Sequence, residues 1–131
     1  MNWNTENDFF PVIRKERKVQ TMIQHKVDGV EYLTFHNLEQ LLDFSHLFST
    51  RIGGVSNGIF SSMNLSFTRG DEKDAVLENF SRIAKILGIS TKQFVLSDQT
   101  HTDHIHVVTK EDAGNGLIKP LPYHDIDGLI T

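Results

Sequence analysis

The stretch that decides the fold is HLFSTRIGGVSNGIFSSMNLSFTRGD, residues 46–71. It opens with an apolar, strand-like run. Gly53-Gly54 and Gly58 then allow the backbone to reverse with positive φ, because glycine has no Cβ to clash. Residues 61–66 bring a second, polar-studded strand back past the first. The pattern predicts two strands joined by a glycine-rich loop.

Two polar residues of this stretch, Arg51 and Asn64, would lie near one end of the strand pair and form a shallow polar cradle. The planar guanidinium of Arg51 can bind a phosphate or a carboxylate through two parallel hydrogen bonds. The competing interpretation is a plain β-hairpin in which Arg51 is solvated or forms an ordinary ion pair with one of the many acids.

Composition places the chain among single globular domains. Its 131 residues are 38% hydrophobic and 23% charged. The net charge of −4 divides into +2 over residues 1–26 and −6 over the remainder. An acidic body offers no broad phosphate-binding face, so we expect no nucleic-acid partner. The chain has no cysteine, which excludes disulfides and thiolate ligands within it.

The apolar pattern predicts both the cellular location of the protein and the residues that form the domain. No segment approaches the roughly 18 apolar residues that span a bilayer. The N-terminus carries acids where a signal peptide needs a basic start and an apolar run. We therefore expect a cytoplasmic protein without a membrane partner. Residues 1–21 lack a sustained period and are interpreted as a tail, and the domain is assigned to residues 22–131.

The first half of the domain is predicted to hold a hairpin and two helices. Residues 22–35 alternate around Asp28-Gly29, a turn signal for a hairpin. Leucines with helical spacing predict a short helix, Leu38, Leu41 and Leu42. A longer helix is predicted from Glu72 to Leu87, with Asp71 as its N-cap and Gly88 as its left-handed C-terminal cap. Its apolar stripe comprises Val76, Phe80, Ile83, Ala84 and Leu87.

The second half is predicted to hold short strands and a long loop. Residues 94–96 and 104–109 are interpreted as buried strands, and 110–125 as a surface loop. In the second strand, alternation would place Ile105 and Val107 on one face and His104 and His106 on the other. Asp127-Gly128 turns the chain into the apolar run 129–131, where it stops. The fold class is therefore α+β, incomplete at the C-terminus.

The one metal-like cluster in the sequence comprises His101, His104 and His106. His104 and His106 would project from one strand face and could share a cation. Zinc normally needs three or four ligands, so the alternatives are surface histidines or one histidine serving a site completed elsewhere. No phosphate-binding loop, dinucleotide fingerprint, nucleophile elbow or HExxH motif is present. The residues alone indicate a polar site near Arg51, Asn64 and His101.

Four blocks occur in a specific order. They are FSTRIGGVSNGIFSSMNL at 48–65, RGD with the helix that contains Glu78-Asn79, DQTH at 98–101, and DGLIT at 127–131. Together they resemble the YfiH family, also called the laccase-domain or polyphenol oxidoreductase family. The likeness covers roughly residues 22–131. It implies mixed β-sheets layered with helices and a zinc site at the active centre.

The resemblance also implies a ligand set that this chain carries only in part. In the family, zinc is held by the histidine of a Gln-x-His motif, a cysteine of an Ala-Asp-Cys motif and a histidine before Gly-Trp. The first is His101 here, and the other two would lie beyond Thr131. His104 and His106 match no family ligand. This polypeptide alone is therefore expected to bind zinc poorly and to be inactive.

The family activity implied is phosphorolysis of adenosine, inosine, guanosine and methylthioadenosine, with deamination of adenosine in some members. The partners would be a purine nucleoside and phosphate. Arg51 is the candidate clamp on phosphate, with glycine-loop amides beside it. His101, as metal ligand, and Arg51 are the candidate catalytic residues, and Asn64 and Gln99 are candidates for binding ribose or base.

Two other interpretations remain open at this point. One is a copper-dependent polyphenol oxidoreductase, with copper in place of zinc. The other is a non-catalytic association module that forms a homodimer through its exposed final strand and the basic segment Arg14–Lys18.

Overall fold

The computed structural model describes residues 22–131, so the predicted tail at 1–21 lies outside the described residues. The main elements, in chain order, are β1 Met22–Val27, β2 Val30–Phe35, β3 Phe48–Ser49, α1 Lys73–Leu87, β4 Ile105–Val107 and β5 Gly128–Ile130. Short 3₁₀ helices occupy Gly58–Phe60, Thr91–Gln93 and Lys110–Asp112. Strands β1, β2 and β3 form an antiparallel sheet, and β4 pairs with β5 in parallel. These mixed sheets with one long helix confirm the α+β class.

The predicted hairpin at the start of the domain is confirmed. β1 and β2 pair with Val27 opposite Val30, so the connection is the two-residue turn Asp28-Gly29. Both turn residues have positive φ, 49° and 84°, as a primed hairpin turn requires. β3 adds to the other side of β2 through Tyr32–Ser49 and Leu33–Phe48.

Helix α1 also matches its prediction, apart from its first residue. Gly88 closes it in the left-handed conformation with φ 68°. The N-cap position belongs to Glu72, and the prediction of Asp71 is wrong. One oxygen of Asp71 accepts the Glu72 backbone N–H at 2.9 Å, and the other accepts the Asn64 side-chain amide at 2.9 Å. Asp71 therefore links the preceding turn to the helix.

The core surrounds α1. Four of the five predicted stripe residues are buried, Val76, Phe80, Ile83 and Ala84, and Leu87 is half-buried. One cluster joins Ile83 to Val30 of β2 and to Met63. A second joins Val76 and Phe80 to Leu117. Aromatic contacts extend the second cluster, since the Phe80 ring lies 5.9 Å from that of Phe67 and 5.4 Å from that of Phe94.

Two predicted elements in the first half are wrong. Residues 61–66 form no strand, because the Ser62 and Met63 N–H groups both donate to the single carbonyl of Arg51, at 3.0 Å each, which is not a ladder pattern. The leucine helix is absent as well, and residues 36–40 and 42–43 form turns. Leu42 is 98% exposed, so these leucines have no core against which to pack. A single helical turn is not stable without such packing.

In the second half of the domain, the burial of the side chains differs from the prediction more than the positions of the segments do. Residues 94–96 form no strand. The Phe94 N–H donates to the nearby Thr91 carbonyl, and two isolated bonds reach another segment, from Gly114 N–H to the Phe94 carbonyl and from Leu96 N–H to the Asn115 carbonyl. β4 is present with the predicted alternation, yet its apolar side chains, Ile105 and Val107, are 64% and 65% exposed. The loop at 110–125 is not wholly on the surface, because Leu117 enters the core.

Candidate functional site

Side chains as well as backbone hydrogen bonds hold the glycine loop. The N–H groups of Gly53 and Gly54 donate to Oγ of Ser62 at 3.1 and 3.2 Å, and that hydroxyl donates to the Arg51 carbonyl at 2.8 Å. A Cβ on Gly54 would lie 2.0 Å from the Ser62 carbonyl oxygen and 2.6 Å from Oδ1 of Asn79. Only glycine fits there.

Asn79 is the residue that sequence reasoning missed. It is fully buried on α1. Its Oδ1 accepts the Val55 N–H at 2.8 Å, and its Nδ2 donates to the Ser56 hydroxyl at 2.9 Å and to the Asn64 carbonyl at 2.8 Å. A signal was available, because position 79 falls on the apolar stripe of the predicted helix. A polar residue on a buried face must find hydrogen-bond partners.

Arg51 is exposed at the edge of this loop. Its Nε and Nη2 donate to the Ser61 carbonyl at 3.0 and 2.8 Å, which fixes the guanidinium. Within residues 22–131 no carboxylate forms an ion pair with it, so the ordinary-pair interpretation finds no support. The remaining guanidinium N–H groups can bind an anion. The Gly53 and Gly54 amides, by contrast, are already engaged by Ser62.

Asn64 organises the turn that precedes α1. Its Nδ2 donates to the Ser66 carbonyl at 3.1 Å and to Asp71 at 2.9 Å, while its Oδ1 accepts the Ser66 N–H at 3.1 Å. The Ser56 hydroxyl, and after it the Asn64 amide, hold the pKa of Asp71 below its ordinary value. Both amide hydrogens of Asn64 are thus occupied, and Oδ1 keeps capacity for a further donor.

A second polar group gathers around Asp127. Its carboxylate accepts the backbone N–H groups of Thr100 at 3.3 Å, His101 at 3.0 Å and Thr102 at 2.6 Å, and the Thr102 hydroxyl at 2.7 Å. These donors, Thr102 first, lower the pKa of Asp127 to about 2. Nε2 of Gln99 donates to the Asp127 carbonyl at 3.2 Å. Gln99 and His101 are therefore brought together by one residue.

His101 has an unusual backbone and a free side chain. Its φ is 67°, a left-handed conformation that costs of order 1–3 kcal/mol in a residue other than glycine. The imidazole is exposed, and its ring nitrogens form no hydrogen bond with the described residues. The surrounding hydrogen bonds hold the backbone of His101 and leave the ring available.

The structure thus divides the candidate residues into two groups. Arg51 and Asn64 belong to the glycine loop and its anchor on α1, whereas Gln99 and His101 belong to the group around Asp127. In the part of the chain that the structure describes, no hydrogen bond or ion pair joins one group to the other. A ligand that contacts both would have to bridge them.

The histidine cluster does not form a metal site by itself. Among residues 22–131 no group of three His, Cys, Asp or Glu side chains could hold a metal ion. Nδ1 of His104 donates to the Asp125 carbonyl at 3.1 Å, and the His106 ring packs on Tyr123 at 4.5 Å between centroids. The free imidazole of His101 fits one position of a zinc site.

Among residues 22–131, no helix has the length and the apolar character needed to cross a membrane.

Comparison with known proteins relates these two groups to a family. The sequence profile of the multi-copper polyphenol oxidoreductase laccase family matches residues 45–131. The chain belongs to this family. The matched range of the laccase family contains Arg51, Asn64, Gln99 and His101.

The curated relatives in the laccase family carry a different activity in their names. Purine nucleoside phosphorylase YlmD of Geobacillus stearothermophilus is 38% identical over 86 residues, which cover 63% of this chain and 31% of that protein. A purine nucleoside phosphorylase of Corynebacterium glutamicum is 37% identical over 85 residues, 65% of this chain and 32% of that protein. The chain therefore spans about a third of the length of the curated relatives that it matches.

Solved structures confirm the YfiH-like fold that the sequence blocks indicated. The hypothetical protein YfiH of Bacillus licheniformis superposes with a TM-score of 0.62 at 28% identity, over 80% of this chain and 36% of that one. YlmD from Geobacillus stearothermophilus gives a TM-score of 0.58 at 31% identity, over 71% of this chain and 33% of that one.

Proposed function

We propose that residues 22–131 are the N-terminal portion of a zinc-dependent purine nucleoside phosphorylase. The observation that carries this proposal is the similarity to relatives named purine nucleoside phosphorylase, at 38% and 37% identity. The exposed guanidinium of Arg51 supports it, because it is fixed by a backbone carbonyl and forms no ion pair with a described carboxylate.

The proposed reaction transfers ribose from the base to phosphate. A phosphate oxygen forms a bond to C1′, the bond from C1′ to the purine nitrogen breaks, and the base takes up a proton. The products are ribose-1-phosphate and the free purine. Arg51 would bind the phosphate through charge-assisted hydrogen bonds. Adenosine, inosine, guanosine and methylthioadenosine are the proposed nucleosides, and deamination of adenosine is a proposed side activity.

The other candidate residues take more limited roles. Gln99, whose Nε2 is held by the Asp127 carbonyl, has its side-chain oxygen left for a ribose hydroxyl or a base N–H. Asn64 can offer only its side-chain oxygen, since both amide hydrogens are used. Substrate donors must therefore face these oxygens.

Zinc fits the described residues only in part. His101 supplies one free imidazole, and residues 22–131 contain no complete ligand group. When bound, zinc supplies a Lewis acid and lowers the pKa of a bound water. We propose that its remaining ligands come from the part of the family domain that this chain does not span.

A copper-dependent polyphenol oxidase is the second candidate, because the family description names that activity. One experiment separates the two. The protein encoded by the full reading frame is assayed for ribose-1-phosphate release from inosine and adenosine, with phosphate, before and after chelation, and after return of zinc or copper. We expect phosphate-dependent release that chelation abolishes and zinc restores. Copper-dependent oxidation of a phenol without nucleoside cleavage would contradict the proposal.

A further inference from the structure

One carboxylate joins two segments that are distant in sequence. The loop at 99–104 and the segment at 124–128 meet at Asp127, which accepts three successive backbone N–H groups, those of Thr100, His101 and Thr102. Asp127 is itself fixed, because its own N–H donates to the His104 carbonyl at 3.1 Å. Strand β5 begins at the next residue and pairs with β4. The carboxylate is thus a rigid anchor for the loop.

We propose that Asp127 is the positioning residue that aims the His101 imidazole at the reaction centre. The inference deepens the proposed function and rests on it. Asp127 contacts the backbone of His101 and leaves the ring free. The direction of the Cα–Cβ bond depends on the backbone conformation, and the left-handed φ of 67° sets that direction here. Without the anchor, the loop relaxes toward the right-handed region that L-residues prefer, and the ring points elsewhere.

Asp127 is poorly suited to act on a ligand directly. Its Oδ2 accepts Thr100 N–H, Thr102 N–H and the Thr102 hydroxyl, and its Oδ1 accepts His101 N–H. A carboxylate offers about four lone-pair sites, so these four donors leave little capacity for a metal or a substrate. A role through His101 is therefore the one that its contacts allow.

The segment at 124–128 offers a matched control in Asp125. It lies two residues before Asp127 and has a positive φ, of 55°. Its carboxylate accepts the Thr100 hydroxyl at 2.8 Å, and no backbone N–H of the loop donates to it. Asp127→Asn and Asp125→Asn make the same chemical change in the same segment. Backbone N–H groups of the loop donate to the Asp127 carboxylate and not to that of Asp125. Only Asp127→Asn therefore puts an amide donor in place of an oxygen that accepts from them.

The first test needs neither metal nor turnover. In the 131-residue chain, NMR measures amide hydrogen exchange at His101 and Thr102, and the three-bond HN–Hα coupling of His101 reports its φ. We expect Asp127→Asn to accelerate both exchange rates at least tenfold and to change the coupling. Asp125→Asn should leave both measurements at the wild-type value. Unchanged exchange and coupling in Asp127→Asn would overturn the proposal.

The second test uses the full-length protein. Competition with a chelator should show that zinc binds Asp127→Asn about 10- to 100-fold more weakly, the usual effect of removing a partner that orients a metal ligand. The zinc affinity of Asp125→Asn should remain within about twofold of the wild-type affinity. In the phosphorylase assay, kcat should fall while the KM for phosphate stays constant, because Arg51 belongs to the other group.

The two proposals fail in different ways. Normal zinc affinity and kcat in Asp127→Asn, alongside an altered His101 backbone, would overturn the positioning role and leave the proposed function intact. Absence of nucleoside cleavage by the wild-type full-length protein would overturn the proposed function, and the exchange, coupling and zinc measurements would still decide whether Asp127 aims the ring.

Discussion

The side-chain oxygen of Asn79, in the middle of α1, accepts the backbone N–H of Val55 at 2.8 Å, across 24 residues of sequence. The same side chain donates to the Ser56 hydroxyl at 2.9 Å. A buried helix residue thus provides the hydrogen bonds that a neighbouring strand would give to a regular hairpin. The loop that carries Arg51 is anchored to the helix, and its geometry depends on the helix.

The first prediction concerns this anchor. Asn79→Ala should lower the free energy of unfolding by about 3 kcal/mol, because it leaves the half-buried Val55 N–H without its acceptor and removes three bonds donated from a buried side chain. The midpoint of urea unfolding measures the loss. Glu78→Ala, one residue earlier, removes only an exposed pair with Arg82, for which about 0.5 kcal/mol is expected. Equal losses in the two variants would contradict the anchoring role.

The second prediction separates steric exclusion from backbone strain at two glycines of the loop. Gly54→Ala places a Cβ 2.0 Å from a backbone oxygen, so we expect a loss of about 3 kcal/mol or more. Gly58 has φ 59° and open space around its Cβ position, so Gly58→Ala should cost about 1–2 kcal/mol from the left-handed conformation alone. Thermal unfolding compares them. A greater loss for Gly58→Ala would show that the close approach at Gly54 is not rigid.

The third prediction addresses the anion site. In the full-length protein, Arg51→Gln should raise the KM for phosphate about 10- to 100-fold, since a hydrogen bond to a charged group contributes about 1.5–3 kcal/mol. The KM for the nucleoside should stay near its wild-type value. Arg69→Gln removes the same charge from another exposed position and serves as the control. Steady-state kinetics at varied phosphate makes the measurement, and an unchanged phosphate KM would exclude Arg51 as the clamp.

The fourth prediction uses the lowered pKa of Asp71, which the Ser56 hydroxyl and then the Asn64 amide cause. A carboxyl whose pKa is lower in the folded than in the unfolded chain adds stability above its unfolded pKa and loses it as pH falls through the folded pKa. The stability difference between wild type and Asp71→Asn should therefore be largest near neutral pH and should shrink below about pH 4. Urea midpoints as a function of pH measure this.

Asp43→Asn is the control for the acid experiment. Asp43 is exposed, and its carboxylate forms no hydrogen bond or ion pair within the described range. Its replacement should give a much smaller stability change at neutral pH. If Asp43→Asn and Asp71→Asn show the same pH dependence, the hydrogen bonds to Asp71 do not contribute to stability.

Several parts of the fold were predictable because their signals are local. Asp28-Gly29 tolerates the positive φ that a two-residue hairpin needs, whatever surrounds it. Helix α1 was predictable from its apolar stripe and from Gly88. The leucines at 38–42 carried the same helical spacing, yet no helix formed, because spacing has an effect only where a core receives the apolar face.

The candidate site was predictable in its residue types and less so in its geometry. The blocks around Arg51 and His101 identified the family, and the laccase-family match contains both residues. Their hydrogen bonds could not be anticipated from local spacing. Asn79 reaches partners 15 to 24 residues away, and the Asp127 carboxylate reaches backbone N–H groups 25 to 27 residues away.

The sequence by itself determined the Asp28-Gly29 turn and the long helix, because each depends on residues within a few positions of one another. It also determined the membership of the family, through the order of four blocks along the chain. Only the tertiary structure decided that an asparagine on the helix supports the arginine loop and that one carboxylate holds three amides of the His101 loop. The physical reason is that a buried or converging hydrogen bond depends on which distant segments packing brings together, and the spacing of residues along the chain does not encode that choice.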